Sequence, residues 1–579
     1  MKSVLKDLVA DRIVVHGDAE KILMQFRSSH EEIHPLITIS QQNLKDQQPP
    51  HKPLTLELLT LWLANKVKLP YARIDPLKVD VTSVTAVMAQ AFAERNKILA
   101  IHADDTEVVI ATADPVNTSW ESGLRQITSR QIKKVVANPA DINRFLGEFY
   151  NLSQSVQAAT GKSTNDKGNI QNLEQLLELG KADKPDANDQ YIVNIVDWLL
   201  QYAFDQRASD IHIEPRRDKA NIRFRIDGVL QQVYEMPPQV VQAVTARLKI
   251  LGRMDIAEKR RPLDGRLKTK SPEGKEVELR LSTMPTAFGE KMVMRIFDPT
   301  ILFKSFADLG LHGADYDAWQ NIISHPTGIV LVTGPTGSGK TTTLYSTLKG
   351  LASPEINVCT IEDPIEMIEP SFNQMQVQQS IDLDFATGVK ALLRQDPDII
   401  MIGEIRDYET AQNAIQAALT GHLVISTLHT NDASSAVTRL IEVGVAPYLI
   451  SATVLGVMAQ RLIRTLCPHC KRKTAIDINA WNSLVHPYKA TAPETIYAAA
   501  GCGECRNTGY QGRIGVYEII TMNQTIRRFI KPNCEAAEIR SAAVQNGTLL
   551  LRLNGARKVA DGVTTIEEVL RVTPHLEED

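Results

Sequence analysis

Gly328-Ile329-Val330-Leu331-Val332-Thr333 runs without a break into Gly334-Pro335-Thr336-Gly337-Ser338-Gly339-Lys340-Thr341. The first six residues are a short apolar run, as expected of a fully buried strand. The next eight match G-x-x-x-x-G-K-[ST], and helix formers follow from Thr342 to Leu348, ended by Gly350. In a strand, glycine loop and helix so joined, backbone N–H groups converge on phosphate oxygens and the helix N-terminus adds favourable partial charge. Lys340 is placed to reach the β- and γ-phosphates, and the Thr341 hydroxyl to ligate Mg²⁺. Gly334 to Thr342 are the candidate nucleotide-binding residues, and the expected ligand is a nucleoside triphosphate.

Downstream the pattern stays that of an α/β core, buried strands alternating with helices. One strand, Val358 to Ile361, ends in Glu362-Asp363-Pro364-Ile365-Glu366. Another, Ile399 to Ile402, ends in Gly403-Glu404-Ile405-Arg406-Asp407. Ligands of open α/β sheets bind at the carboxyl ends of strands, so both acidic clusters should face the phosphate loop. Phosphoryl transfer to water needs a carboxylate for Mg²⁺ and a group that orients the attacking water. Glu404 takes the first role, through water, although the usual Asp is absent there. Glu362 and Glu366 are both candidates for the second. His422 and His429 flank the strand Leu423 to Leu428 at an odd separation, so they point to opposite faces and share no metal ion. Lone histidines are most often structural.

Upstream, residues 191–300 open with an amphipathic helix (Ile192 to Ala203) and continue in strands. Asp210 to Glu214 and Ile222 to Ile226 alternate apolar and polar residues, which predicts half-buried strands with their charges on one face. Glu276 to Leu281 and Met292 to Phe297 repeat the pattern, giving a small α+β domain with an arginine-bearing sheet. Residues 153–190 are rich in Ser, Gly, Asn, Gln, Asp and Lys and read as a linker with one short helix near Leu173 to Leu179. Residues 1–152 form an N-terminal α+β module with a strand at Val108 to Ala113 and a capped helix from Pro139 to Tyr150. The nucleotide-binding α/β part spans 301–579, with a helical portion at 520–579.

The chain has 579 residues, room for three to five domains at roughly 100 to 200 residues each. With 43% hydrophobic and 23% charged residues, it is no disordered, collagenous or disulfide-scaffold chain. A net charge of −4 and no basic stripe with interleaved aromatics argue against a nucleic-acid motor. Asp7, Asp11 and Arg12 sit where a signal peptide needs an apolar core. The longest weakly polar stretch, Ala446 to Ala459, is shorter than the roughly 20 residues of a membrane span. The expected location is therefore cytoplasmic, with any membrane role acting through partners.

Four of the six cysteines form two C-x-x-C knuckles, Cys467/Cys470 and Cys502/Cys505, with 31 residues between them. Each knuckle presents two thiolates on one side of a tight turn, and two knuckles complete a closed tetrahedral Cys₄ zinc site, structural in role. The insertion spans 466–506. Cys359 and Cys534 read as buried small residues.

With GPTGSGKTTTL, TIEDPIE, RQDPDIIMIGEIRD and TGHLVISTLHTNDA in this order, the sequence resembles the type II secretion and type IV pilus assembly ATPases, the GspE/PilB group. The resemblance runs from about Tyr191 to Val569. It implies a RecA-like core, Glu366 as catalytic glutamate, Glu404 as Walker B glutamate and His422 and His429 as γ-phosphate sensors. ASDIHIEP and RFRIDGVL match the family's preceding domain, whose arginines close on the nucleotide. Arg225 and Arg266 are the candidates here, with Arg223 and Arg295 behind them. The resemblance also implies a homo-hexameric ring, at the membrane periphery, that drives an inner-membrane platform protein and adds pilin-like subunits to a filament. The segment from Ser434 to Cys467 is nearer the secretion branch than the pilus branch, and by the resemblance the tetracysteine insertion and the long N-terminal region argue for an assembly or secretion motor over a retraction motor. LPYARIDPLKVDV and VVIATADPVN resemble the family's N-terminal domain. The stretch from Leu8 to Phe26 lacks the RLG repeat with which some members bind cyclic di-GMP, so that ligand is not expected. Docking to a partner's cytoplasmic domain is expected instead. A nucleotide-binding scaffold with little turnover is the non-enzymatic alternative, set back by the presence of Lys340, Thr341, Glu366, Glu404 and both histidines.

Overall fold

The computed structural model describes residues 1–26, 34–42, 44–47, 51, 53–74, 79–128, 130–159, 189–271, 274–297 and 304–574. The short helix expected near residues 173–179 lies outside the described residues. The chain divides into two compact units, Met1–Ile296 and Phe297–Asp579.

The first unit holds two sheets. Strands β1 (Ile98–Ala103), β2 (Glu107–Thr112) and β3 (Gln131–Val136) form a three-stranded sheet in that order. Strands β4 (Asp210–Pro215), β5 (Ala220–Ile226), β6 (Val229–Met236), β7 (Leu263–Lys270), β8 (Glu276–Thr286) and β9 (Gly289–Phe297) form the other, in the order β6-β5-β4-β9-β8-β7. The helix expected to end near Tyr150 continues to Ala159 and packs against the helix Gln190–Asp205. One apolar cluster, from Ile74 to Met294, runs through both halves. The expected boundary at residue 152 therefore falls inside a continuous helix.

The expectation of half-buried strands holds for β5 and needs correction for β4. Every residue of β4 is buried, Asp210, His212 and Glu214 included. The reason is its central place. Register sets Asp210 between Arg225 on β5 and Arg295 on β9, and longer side chains from both neighbours cover the short acids. Arg295 Nε donates to Asp210 at 2.9 Å, while Arg223 and Lys291 reach Glu214 at 2.7 and 3.1 Å. Alternation marks the faces of a strand, but neighbours decide whether a polar face is wet.

The second unit is built on a seven-stranded sheet. Its members are β10 (Gly328–Thr333), β11 (Val358–Glu362), β12 (Asn373–Gln376), β13 (Ile399–Ile402), β14 (Leu423–Leu428), β15 (Val454–Leu466) and β18 (Tyr510–Thr521). Their order is β12-β11-β13-β14-β10-β15-β18, all neighbours parallel except β15 and β18. β10, β13 and β14 are buried at every position, as apolar runs flanked by helices on both faces should be. The helix after the glycine loop spans Lys340–Leu351, passing through Gly350 rather than ending there. Between β15 and β18 the chain makes the cysteine insertion, a small hairpin of β16 (Arg472–Ala475) and β17 (Thr495–Ala498) with the helix Ile478–Val485. Trp481, Leu484, Val485 and Ile496 of the insertion share a small core with Val559 and Val569 of the C-terminal helices. Among the described residues, no helix is long and apolar enough to cross a membrane.

Candidate nucleotide site and metal centre

The strand order puts β10 between β14 and β15, so the loop leaving β10 opens at the carboxyl edge of the parallel strands. Glycine is required in that loop. Gly334, Gly337 and Gly339 have φ of 151°, 79° and 87°, where side chains are strained. A Cβ on Gly334 would also meet the Gln460 carbonyl oxygen and Ser338 Oγ, each at 2.6 Å. Ser338 Oγ is buried with no partner among the described residues, and Lys340 Nζ donates to the loop's own Gly334 carbonyl at 2.7 Å. An orphaned hydroxyl, a backbone cradle too tight for side chains and an ammonium turned into it fit a polyphosphate. Pro335, Thr336 and Gly337 are exposed at the rim, and Thr341 and Thr342 are half-buried at the start of the helix.

Glu404 arrives from the end of β13. Its backbone is fixed on both sides, because Gly403 N–H donates to Ile361 O at 2.8 Å and Ile405 N–H to Thr427 O at 3.0 Å. The nearly buried carboxylate pairs with Arg406 and lies 3.2 Å from His429 Nε2. Burial and the Lys340 charge lower the His429 pKa against the opposing pull of Glu404, so the ring is neutral near pH 7 and Nε2–H donates to the carboxylate. The His429 loop is itself tied down. Thr430 N–H donates to Thr333 Oγ1 at 2.9 Å, and Arg461 Nη2 to Asn431 O at 2.6 Å. Lys340, Glu404 and His429 thus come together.

His422 does not join them. Parallel register pairs Gly328 with Leu423 and Thr333 with Leu428, so His422 precedes β14 at the edge opposite the phosphate loop. A six-residue strand separates the two edges by about 20 Å. There His422 Nδ1 is 2.8 Å from Ala417 O. The sensor role that the resemblance implies for it finds no support within this chain's own site. Which edge of the strand a residue occupies separates the two histidines, beyond the face each one takes.

Glu362 and Glu366 separate clearly. Glu362 is buried, taking hydrogen bonds from Tyr345 Oη at 2.7 Å, Thr360 Oγ1 at 2.7 Å and Gln374 Nε2 at 3.2 Å. Glu366 is half-buried in the loop beyond, between β11 and β12. Asp407 is the N-cap of the helix Tyr408–Leu419 and Asp432 that of Ala433–Glu442, ordinary uses for acids at strand ends. Arg225 and Arg266 belong to the first unit. Arg225 lies 3.6 Å from Asp210 and donates to Gly228 O, and Arg266 lies 3.7 Å from Glu278.

Sequence reading missed Gln460 and Arg461, which floor the phosphate loop from β15. Thr343 Oγ1 donates to Gln460 Oε1 at 2.8 Å, and Arg461 Nη1 would lie 3.1 Å from a Gly334 Cβ. The available signal was a polar pair inside the apolar run Val454–Leu466, since buried polar residues in such runs have partners. Burial lowers the Lys340 ammonium to about 8, with Glu404 opposing and Arg461 adding. Phosphate favours the charged amine, so affinity for ATP should be near full at pH 7 and below. It should fall by about tenfold between pH 7 and 9, mostly above pH 8, with proton uptake on binding. Calorimetry in buffers of different ionisation heat measures both, and an affinity flat from pH 7 to 9 contradicts the assignment.

The four knuckle thiols converge. All four Sγ atoms lie within 4.8 Å of one another, with Cys467–Cys502 at 3.8 Å and Cys470–Cys505 and Cys502–Cys505 at 3.7 Å. An ion about 2.3 Å from each of four tetrahedral sulfurs requires edges of about 3.8 Å, so the set can hold one. Backbone N–H groups of Cys502 and Gly509 donate to Cys505 Sγ at 3.2 and 3.1 Å, favouring a thiolate. Cys359 is buried as expected, while Cys534 is only half-buried.

A type II/IV secretion system protein family model matches residues 185–571, and an MshEN domain model matches 67–156. A type IV pilus assembly ATPase, TfpB of Acinetobacter baylyi, is 53% identical over 96% of both chains. The type II secretion system ATPase E of Vibrio cholerae is 41% identical, covering 78% of this chain and 85% of its own. Among solved structures, the ATPase DotB of Yersinia pseudotuberculosis aligns with TM-score 0.50 at 20% identity, over 67% of this chain and 95% of its own, a likeness of fold.

Proposed function

The chain belongs to the type II/IV secretion system protein family, and from that premise we propose that it hydrolyses ATP to drive filament assembly at an inner-membrane machine. The observation that carries the reading is the convergence of Lys340, Glu404 and His429 at the mouth of the glycine loop. Lys340 and the loop amides bind the phosphates, and His429 reads the γ-phosphate by its link to Glu404. Mg²⁺, held by Thr341 and through water by Glu404, would neutralise phosphate charge. Glu366 orients the attacking water, because Glu362 is occupied in the core. His422 takes no part in this chain's own site. Arg225 and Arg266 act as arginine fingers; leaving its long, half-exposed ion pair with Glu278 costs Arg266 no more than about 1 kcal/mol, and Arg295 stays on the buried Asp210 when Arg225 leaves. The thiol set holds structural zinc.

The working form is a homo-hexamer that acts on a membrane platform protein and docks a partner through its N-terminal region. It sits in the cytoplasm, reaching the membrane through these partners. Nucleic acid and cyclic di-GMP are not part of the reading. Among the relatives named, the pilus assembly ATPase matches over nearly the whole of both chains, which supports a pilus motor, and the secretion ATPase keeps type II secretion as the second reading. Chromosomal Lys340→Ala in the cell of origin separates them. Loss of surface pili supports the first, retention of exoproteins behind the outer membrane supports the second, and a cell unchanged in both sinks the proposal.

A further inference from the structure

The loop that carries Glu366 runs from the end of β11 to the start of β12, outside the sheet ladder. A catalytic carboxylate there needs its loop fixed by side chains. Two residues do this from different elements. Tyr345, wholly buried on the helix that begins at Lys340, points its hydroxyl at Glu362 Oε2, at 2.7 Å, and at the carbonyl oxygen of Met367, at 3.1 Å. Gln374, on edge strand β12, uses both ends of its amide. Its Nε2 donates to Met367 O at 2.8 Å, and its Oε1 accepts from Glu369 N–H at 2.7 Å. Nε2 also lies 3.1 Å from Tyr345 Oη and 3.2 Å from Glu362 Oε1, so the clamp is one connected network. Met367 directly follows Glu366, while the next residue, Ile368, is 80% exposed. The chain is thus held beside the glutamate and again at the buried Glu369, with only Ile368 turned outward between the two.

We propose that Tyr345 and Gln374 are positioning residues for hydrolysis, clamping the Met367 carbonyl so that Glu366 stays aimed at the attacking water. The inference rests on the reading of Glu366 as the water-orienting carboxylate. It also assigns Glu362 a purpose, as the buried anchor on which the clamp is built. Burial and the adjacent Glu362 carboxylate hold the Tyr345 hydroxyl above its ordinary pKa, so it remains a donor at any working pH. Lys340 and Tyr345 share one helix, about 7.5 Å apart along its axis.

Tyr345→Phe removes the hydroxyl and keeps the ring beside Phe372. Gln374→Met, at a half-buried edge-strand position, is the second variant should the first fail to fold. The test measures kcat, ATP affinity, melting temperature and oligomeric mass of the full chain with Mg²⁺-ATP, each substitution made alone and with Glu366→Gln. Expected is a kcat loss of about tenfold or more with affinity within about twofold, since sub-ångström misplacement acts on chemistry before binding. In the Glu366→Gln background the further loss should be under about twofold, the mark of groups acting through one residue. A kcat within about twofold of wild type, or an undiminished loss in the Glu366→Gln background, overturns the clamp. If Glu366→Gln alone leaves turnover intact, the Glu366 reading falls and this inference falls with it, a result distinct from either of those.

Discussion

Glu404→Gln should lower ATP turnover by about 10²- to 10³-fold while nucleotide binding persists, because removing one preorganised charge-stabilising group typically costs that much. The substitution preserves the shape of the side chain and both backbone anchors, Gly403 N–H to Ile361 O and Ile405 N–H to Thr427 O. What it removes is the negative charge that pairs with Arg406, accepts from His429 Nε2 and faces Lys340. Without that charge the ion pair to Arg406 is lost and the electrostatic tie between the metal position and His429 disappears. Binding survives because the loop amides and Lys340 are untouched. Steady-state hydrolysis and equilibrium binding of a labelled nucleotide, run on the same preparation, measure the two quantities. A variant that hydrolyses at the wild-type rate would remove Glu404 from the site, and one that no longer binds would make its role that of a scaffold.

Cys470→Ser should abolish the bound metal equivalent and cost on the order of 4 kcal/mol of stability, as loss of a structural metal does. The insertion connects two antiparallel neighbours, leaving β15 at Leu466 and rejoining β18 at Tyr510, which pair directly. The thiol cluster therefore staples the outer end of this strand pair. Gln460 and Arg461, which floor the glycine loop, lie six and five residues back along β15, up to about 20 Å away. Metal loss should accordingly lower the melting temperature and open residues 466–506 to protease, while ATP affinity stays near that of wild type. Elemental analysis, limited proteolysis and nucleotide binding before and after chelation decide it. A chelated protein that keeps its melting temperature would reduce the cluster to four unmetallated thiols.

Much of the site was legible because phosphate loops and metal knuckles are contiguous. Gly334 to Thr341 and the paired cysteines each carry their chemistry within a few residues, and the structure adds only the positive φ angles and the sulfur spacing that such motifs require. The acidic clusters were legible as strand ends but not as roles. Glu362 and Glu366 are four residues apart in one motif. Only Tyr345, from the phosphate-loop helix, and Gln374, from a later strand, show that the first is core and the second is loop. The same holds for β4, whose acids look solvent-facing in sequence and are covered by basic side chains of the two neighbouring strands, nine to 85 residues away.

The amino-acid sequence by itself determined the phosphate loop, the thiol cluster and the alternation of buried strands with helices, since each depends on spacing within a turn or a strand. Tertiary structure alone decided which charged groups meet. Placing β10 between β14 and β15 brings Gln460 and Arg461 under the glycine loop and leaves His429 beside Glu404 at the edge where that loop opens, with His422 at the far edge. Strand order and parallel register are long-range choices, fixed by the burial of whole strands against helices, and no local spacing encodes them.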